Sequence, residues 1–293
     1  MAPNGIDQPT GMDLPTAERW CRRLARSHYE NFLVASVLLP RIHRQPMYNV
    51  YAFCRTADDF ADESTSPAVA TERLDQLQQQ LDATFAGSPP ANMFLALADT
   101  IERYGLTKPP FDDLLAAFQQ DQYKNRYESR SDLLDYCQCS ANPVGQLVLQ
   151  IAGCDDDARR SLSDEICTGL QLANFCQDVA RDYQIGRIYL AQEDWPGHGV
   201  TESMFAESST QRPLRDLVAE YCDLAESMLC RGLPLCQQVP NWLAKDIKLF
   251  VHGGLATVQA VRGIQHDVMR TRPTVGKFEQ FKLLGQAVLG RLH

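Results

Sequence analysis

The chain has 293 residues, of which 44% are hydrophobic, and its formal net charge is −9. The acidic balance argues against nucleic acid as a partner, because such partners favour basic patches. No apolar run reaches the roughly 18–20 residues that span a bilayer, and the N-terminus lacks a charged segment followed by an apolar one, so a cytoplasmic protein is expected.

Helical periodicity runs through almost the whole sequence. Residues 1–15 are expected to form a disordered leader, whereas residues 71–85, 91–105 and 214–232 each place apolar side chains three and four positions apart. Signals for β-hairpins are missing beyond the leader. The sequence therefore predicts one all-α domain over residues 16–293, with about eight to ten helices.

A first acidic motif, "YAFCRTADDFADE", covers Tyr51–Glu63. Asp58 and Asp62 are four residues apart, so a helix places both carboxylates on one face, and Asp59 and Glu63 form a second such pair. Like charges at this spacing destabilise a helix by a few tenths of a kcal/mol per pair, and by more if the face lines a cavity. A positive partner is then required.

A second acidic motif lies within "QLANFCQDVARDYQIGRIYL", Gln171–Leu190. Asp178 and Asp182 are again four apart, and Asn174 and Gln171 continue the same stripe with side-chain oxygens. Hard cations such as Mg2+ choose oxygen ligands and bridge one or two carboxylates to phosphate oxygens. Two such stripes facing each other would hold several Mg2+ ions and, through them, a diphosphate, whose departure the metal ions assist as Lewis acids.

Other metal chemistries fit the sequence less well. A solvated acidic face is the alternative for each stripe taken alone. A di-iron bundle would need Glu-x-x-His motifs, and the sequence has none. The ten cysteines are scattered singly, without the paired spacing of a zinc site, so they are expected to be reduced thiols.

Three further segments carry predictions. Pro143 in "SANPVG" is expected to kink a helix, and Asn142 beside it either satisfies a freed carbonyl or orients a water molecule. Arg187 and Tyr189 follow Gly186 in a segment that is either a lid over the metal site or an ordinary loop. The C-terminal segment 278–293 is amphipathic, and it either packs on the core or contacts a membrane at its inner face.

The two acidic motifs resemble those of the squalene/phytoene synthase family, in order and at the expected spacing along nearly the whole chain. This resemblance implies an isoprenoid-synthase-type helical bundle around a central cavity. The segments "HYENFLVASVLLPRIHRQ" (28–45) and "YCQCSANPVGQLVL" (136–149) are similar to the bacterial hydroxysqualene synthases of the hopanoid pathway.

In that branch, presqualene diphosphate ionises, the cation rearranges, and water quenches it to give hydroxysqualene. The resemblance therefore implies an isoprenoid diphosphate as substrate, Mg2+ as cofactor and no use of NADPH. It also implies functional pairing with a presqualene diphosphate synthase and a hydroxysqualene reductase. Two alternatives stay open: head-to-head condensation of prenyl diphosphates to squalene, presqualene diphosphate or phytoene, and a non-catalytic helical assembly factor of the same fold.

The resemblance also assigns site residues. The implied metal ligands are Asp58, Asp59, Asp62, Asn174, Asp178 and Asp182. The implied contacts of substrate or diphosphate are His28, Tyr51, Arg55, Asp121, Ala141, Gly145, Gln171, Asn174 and Arg272. Arg187 and Tyr189 join this set if the segment after Gly186 is a lid. The implied catalytic residues are Asp58, Asp62, Asp178, Asp182 and Tyr136. The hypothesis that Asn142 orients the quenching water adds Asn142 to them. One departure is Gln177, which stands where phytoene-synthase-like relatives often carry arginine.

Overall fold

The computed structural model describes residues 10–27, 39–288 and 292, and these residues contain α-helices and short 3-10 helices but no β-strand. The prediction of an all-α chain is confirmed. The α-helices are α1 Leu14–Ser27, α2 Arg41–Asp62, α3 Pro67–Phe85, α4 Met93–Tyr104, α5 Pro109–Gln120, α6 Arg130–Ser140, α7 Asn142–Ile151, α8 Asp157–Gln184, α9 Trp195–His198, α10 Arg212–Gly232, α11 Asn241–Gly263 and α12 Lys277–Val288. The 3-10 helices are Gln192–Asp194, Glu202–Ala206 and Leu233–Gln237.

The chain divides into two compact units. The first comprises Met1–Tyr123 and Gln146–Asp155, and the second comprises Lys124–Gly145 and Asp156–His293. The extent of a single domain over residues 16–293 stays a prediction.

In the first unit, α2 packs against α1, α3, α4 and α5. Aromatic rings fill the centre: Phe53 meets Phe94 and Phe111 edge-to-face, with ring centroids 6.2 Å and 5.2 Å apart. The described end of the predicted leader joins this unit, because Met12 is buried and its N–H donates to the Ala91 carbonyl at 2.9 Å. These contacts bury one face of α2, which carries the first acidic motif.

The second unit is organised around α8, whose 28 residues pack along α10 and α11. The Asp156 side chain caps the first turn of α8 by accepting from the Arg159 N–H at 2.9 Å. Close approach to α10 requires glycine on α8: a Cβ at Gly169 would lie 3.0 Å from the Leu229 backbone nitrogen. This tight packing fixes the direction of the helix that carries the second acidic motif.

The predicted kink at Pro143 is in fact a complete break. Helix α6 ends at Ser140, Ala141 caps it, and α7 begins at Asn142. Proline is compatible with the first turn of a helix, where its missing N–H would have no intrahelical partner. Pro143 therefore begins a new helix here and does not bend a continuous one.

The C-terminal helix α12 packs against α11. Its apolar residues Leu283 and Ala287 are buried, which favours core packing over membrane contact for this described part of segment 278–293. In the part of the chain that the structure covers, no helix is both long enough and apolar enough to cross a membrane.

Candidate active site

The first acidic motif occupies the C-terminal half of α2, in the first unit. Asp59 is buried, Asp58 is half-buried, and Asp62 is the exposed last residue of the helix. The positive partner comes from the same helix: Arg55 Nη1 lies 2.9 Å from Asp58 Oδ2, and Arg55 Nη2 pairs with Asp59. Glu63 is a more distant third partner, at 3.6 Å.

Arg55 offsets the repulsion between the carboxylates of the first acidic motif. Burial opposes its charge, but the carboxylates of Asp58 and Asp59 outweigh burial and raise the pKa of its guanidinium. One turn earlier lies Tyr51, half-buried, where burial raises the pKa of the phenol. Tyr51, Arg55 and Asp59 thus form a stripe of successive turns on α2.

The second acidic motif lies on α8, in the second unit, as one continuous helical stripe. Asp178 is buried, Asp182 and Gln171 are half-buried, and Asn174 is exposed. The predicted alignment of these four oxygen-bearing side chains is confirmed by the unbroken helix from Asp157 to Gln184. Because the two motifs lie in different units, the predicted pairing of their stripes stays a prediction.

Arg272 is the cationic partner of the second motif. Its Nε donates to Asp178 Oδ1, and its Nη2 donates to Asp178 Oδ2 at 3.1 Å. Gln177 holds the same segment, since its Nε2 donates to the Pro273 carbonyl at 2.7 Å. The arginine that the resemblance assigns to phosphate is therefore bound here to a predicted metal ligand.

Four aromatic rings form a buried cluster beside this stripe. Phe175, next to Asn174 on α8, stacks on Tyr189 with ring centroids 4.1 Å apart and planes 6° from parallel. Tyr136 and Tyr127 each lie 5.7 Å from Tyr189 by ring centroids. The structure thus brings together the predicted Tyr136 and Tyr189, and it adds Phe175 and Tyr127, which the sequence analysis did not single out.

An ion-pair network holds the segment that follows Tyr189. Arg130 Nε donates to Asp194 Oδ2 at 2.7 Å, and the Tyr221 hydroxyl donates to the same oxygen at 2.8 Å. The Tyr221 oxygen in turn accepts from the Ala191 N–H at 2.9 Å. Tyr189 is itself buried, and the segment after it is anchored through both side chain and backbone. Burial and anchoring together favour a fixed wall over a mobile lid.

Ala141, Asn142 and Gly145 lie at the junction of α6 and α7. Ala141 donates its N–H to the Cys137 carbonyl at 3.0 Å, and Asn142 is buried, with its side-chain oxygen accepting from the Thr168 hydroxyl at 2.9 Å. A Cβ at Gly145 would lie only 2.2 Å from Ser163 Oγ. An added Cβ at Gly145 would therefore force the side chains of Ser163 and Cys167 on α8 to shift.

The remaining predicted residues have separate locations. Asp121 caps the C-terminus of α5 through its backbone N–H, in the first unit. Arg187 follows α8, and its N–H donates to the Asp182 carbonyl at 2.8 Å. His28 lies outside the described residues, so its assignment stays a prediction.

The donor set of the second motif fits a hard cation that shares its coordination with a substrate. Among the residues described, no three His, Cys, Asp or Glu side chains converge into a metal-binding group. Two carboxylates and an amide on one stripe leave coordination positions of Mg2+ for water and phosphate oxygens, which is how proteins usually hold this ion. Asp178 and Asp182 would be the protein ligands, with Asn174 beside them.

An all-α fold with two D-x-x-x-D motifs on separate helices defines an isoprenoid-synthase type of protein. The family model for squalene/phytoene synthase matches residues 25–279. The chain belongs to the squalene/phytoene synthase family, whose members process prenyl diphosphates.

Similar proteins include members with different products. A hydroxysqualene synthase from Sinorhizobium fredii is 35% identical over 219 residues, which cover 73% of this chain and 72% of that protein. A 15-cis-phytoene synthase from Synechocystis sp. is 31% identical, over 82% of this chain and 76% of that protein. The crystal structure of squalene synthase HpnC from Alicyclobacillus acidocaldarius matches with a TM-score of 0.83 and 41% identity, covering 87% of this chain and 96% of that chain.

Proposed function

We propose that this protein is a Mg2+-dependent enzyme that ionises presqualene diphosphate and lets water quench the rearranged cation to hydroxysqualene. The observation that carries the reaction class is the arrangement on α8. There, the oxygen stripe of Asn174, Asp178 and Asp182 runs beside Phe175, which stacks on Tyr189 at 4.1 Å. A site for diphosphate thus adjoins a surface of aromatic rings.

The proposed reaction needs both the diphosphate site and the aromatic surface. The C–O bond of the substrate breaks, its electron pair leaves with diphosphate, and the carbon framework becomes cationic. Mg2+, when bound, supplies the Lewis acid that neutralises the departing group. Asp178 and Asp182 would hold the metal, and Arg55 and Arg272 carry the hydrogen-bond donors that suit phosphate oxygens.

The aromatic cluster serves the second part of the reaction. Ring faces attract cations through their quadrupole, by about 0.5–2 kcal/mol for each contact and most where water is excluded. All four rings are buried, and the ring of Tyr189 lies within 6 Å of the other three by centroids. A water molecule then adds through its oxygen to the rearranged cation and loses a proton, so no reductant is consumed.

The choice of substrate rests on similarity. The chain is 35% identical to a hydroxysqualene synthase and 31% identical to a phytoene synthase. The closer identity favours the proposed reaction over condensation of two prenyl diphosphates. Gln177 agrees with this preference, because condensation must neutralise the charge of a second diphosphate and Gln177 brings no charge of its own.

The test is incubation of the purified enzyme with presqualene, farnesyl or geranylgeranyl diphosphate and Mg2+, with and without NADPH. Hydroxysqualene from presqualene diphosphate alone, independent of NADPH and abolished by EDTA, is the expected result. Product from farnesyl or geranylgeranyl diphosphate would establish condensation instead.

Aspartate variants test the alternative of an assembly factor. Asp58→Asn and Asp178→Asn should each lower turnover by at least about a hundredfold, since each removes a ligand charge at the reacting diphosphate. Glu279, on α12, pairs with its helix neighbour Lys282. Glu279→Gln is therefore the control, and it should retain full turnover. Diphosphate release that is absent from the wild type, or equal in all variants, would support the non-catalytic role.

A further inference from the structure

The pairing of Arg272 with Asp178 occupies both oxygens of a proposed metal ligand. Arg272 Nε takes Oδ1 and Arg272 Nη2 takes Oδ2, in the two-pronged geometry that arginine forms with carboxylates. Each oxygen keeps a second lone pair, but a divalent cation on the same carboxylate would repel the positive guanidinium at short range. Guanidinium and metal therefore compete for one carboxylate.

The two partners differ sharply in exposure. The Asp178 side chain is 6% exposed, whereas that of Arg272 is 49% exposed. Leaving an ionised, buried carboxylate without a cation costs several kcal/mol, so a positive partner stabilises the carboxylate of Asp178. The half-exposed guanidinium can move into water, and the carboxylate cannot, so an exchange of cations proceeds by movement of Arg272.

Gln177 fixes the position from which Arg272 acts. Its Nε2 donates to the carbonyl of Pro273 at 2.7 Å, and its Oε1 lies 3.4 Å from Arg272 Nη2. The neutral side chain of Gln177, which precedes Asp178 in the sequence, thus contacts both the backbone after Arg272 and the guanidinium of Arg272. The hydrogen bond to Pro273 would hold the backbone of Arg272 near Asp178 while its guanidinium moves.

We propose that Arg272 is a competing cation that a divalent metal ion must displace from Asp178, and that Gln177 is the positioning residue that holds Arg272 in that place. The inference rests on the proposed function, because it takes Asp178 to be a metal ligand. Displacement by the metal frees the donors of Arg272 for the diphosphate that the metal binds. Metal binding and the release of the arginine are then one linked step.

The first measurement is binding of Mn2+ to the full-length protein without substrate, by electron paramagnetic resonance. Arg272→Gln removes the competitor, and it should tighten Mn2+ binding about fivefold or more, the range of typical coupling between linked ligands. Gln177→Leu keeps the charge of Arg272 but releases its segment, so it should also tighten binding. This second variant separates competition for the oxygens from a simple change in net charge.

Arg262→Gln is the matched control. Arg262 lies in the same unit and pairs with Asp223 and Glu226 at 2.5 Å and 2.6 Å, so the substitution removes an equal charge that faces other carboxylates. Mn2+ affinity should stay at the wild-type value. Far-UV circular dichroism of every variant establishes that it is folded before titration.

A second measurement follows Arg272 itself. The Nε–H signal of Arg272, assigned by its loss in Arg272→Gln, should move when Mg2+ is added to protein labelled with 15N-arginine. A signal unchanged by saturating Mg2+, both alone and with inorganic diphosphate, overturns the proposal. Equal Mn2+ affinity in wild type, Arg272→Gln and Gln177→Leu also overturns it.

Asp178→Asn separates the two levels of inference. If this variant loses Mn2+ binding while Arg272→Gln binds as the wild type does, the metal site stands and the competition is refuted. If Asp178→Asn binds Mn2+ as tightly as the wild type, Asp178 is not a metal ligand, and the proposed metal site fails together with the competition.

Discussion

Asp246 gives a test of the physical reasoning that is independent of catalysis. It lies on α11 in the second unit, is 2% exposed, and its Oδ1 is buried without a hydrogen-bond partner among the described residues. Burial raises the pKa of this carboxyl from its ordinary value of 3.8 to about 7. The folded protein therefore binds this proton more tightly than the unfolded chain does.

The sign of the pH effect follows directly. Below pH 3.8 both the folded protein and the unfolded chain hold the Asp246 proton, so its ionisation does not change the free energy of unfolding. Between pH 3.8 and about 7 only the folded protein holds the proton, so the free energy of unfolding falls as pH rises. At about 1.4 kcal/mol per pH unit, the loss is about 1.5 kcal/mol at pH 5 and levels off near 4 kcal/mol above pH 7.

Asp246→Asn removes this loss because its side chain does not ionise. The free energy of unfolding, from urea titrations at pH 5, 6, 7 and 8, should rise in the variant relative to wild type by about 2–3 kcal/mol more at pH 8 than at pH 5. Any cost of burying the amide is the same at every pH and cancels in that comparison. Asp216→Asn, at an exposed carboxylate on α10, is the control and should follow the wild-type curve. Parallel curves for wild type and Asp246→Asn would refute the reasoning.

Further variants test packing and product formation. Gly145→Ala should lower the free energy of unfolding by about 1–3 kcal/mol in urea titrations through overlap with α8. Gly253→Ala adds a Cβ that meets no atom of the described residues within 4 Å, so it should raise the free energy of unfolding by about 0.5–1 kcal/mol. Asn142→Ala should lower the share of hydroxysqualene among the products, measured by gas chromatography; unchanged yield and rate would exclude Asn142 from placing the water. Tyr189→Leu should lower kcat well below that of Tyr189→Phe, since only the first removes the aromatic face, and equal kcat values would contradict a role for the ring.

Helical periodicity and the two acidic motifs were readable from the sequence because both depend on local spacing. Apolar residues three and four apart predict a helix whatever packs against it, and Asp178 with Asp182 must share a stripe once the helix exists. The end of α4 at Gly105 was likewise predictable, since a left-handed cap at φ 65° favours glycine.

Long-range contacts were not readable in this way. Arg272 lies 94 residues from Asp178, and no spacing rule relates them, yet they form the two-pronged pair that the competition depends on. The aromatic cluster is similar: Phe175 is an ordinary apolar position on α8 until the segment after the helix returns and stacks Tyr189 on it.

The sequence by itself determined that the chain is helical and that acidic side chains gather on two helices. Only the tertiary structure decided which cations pair with those acids: Arg55 from the same helix and Arg272 from a distant segment. It also decided that Oδ1 of Asp246, an ordinary position in the sequence, is buried with no hydrogen-bond partner in the part of the chain that the structure describes. The physical reason is that the pairing of a charged side chain and its burial depend on its neighbours in space, and those neighbours come from residues far apart in the chain.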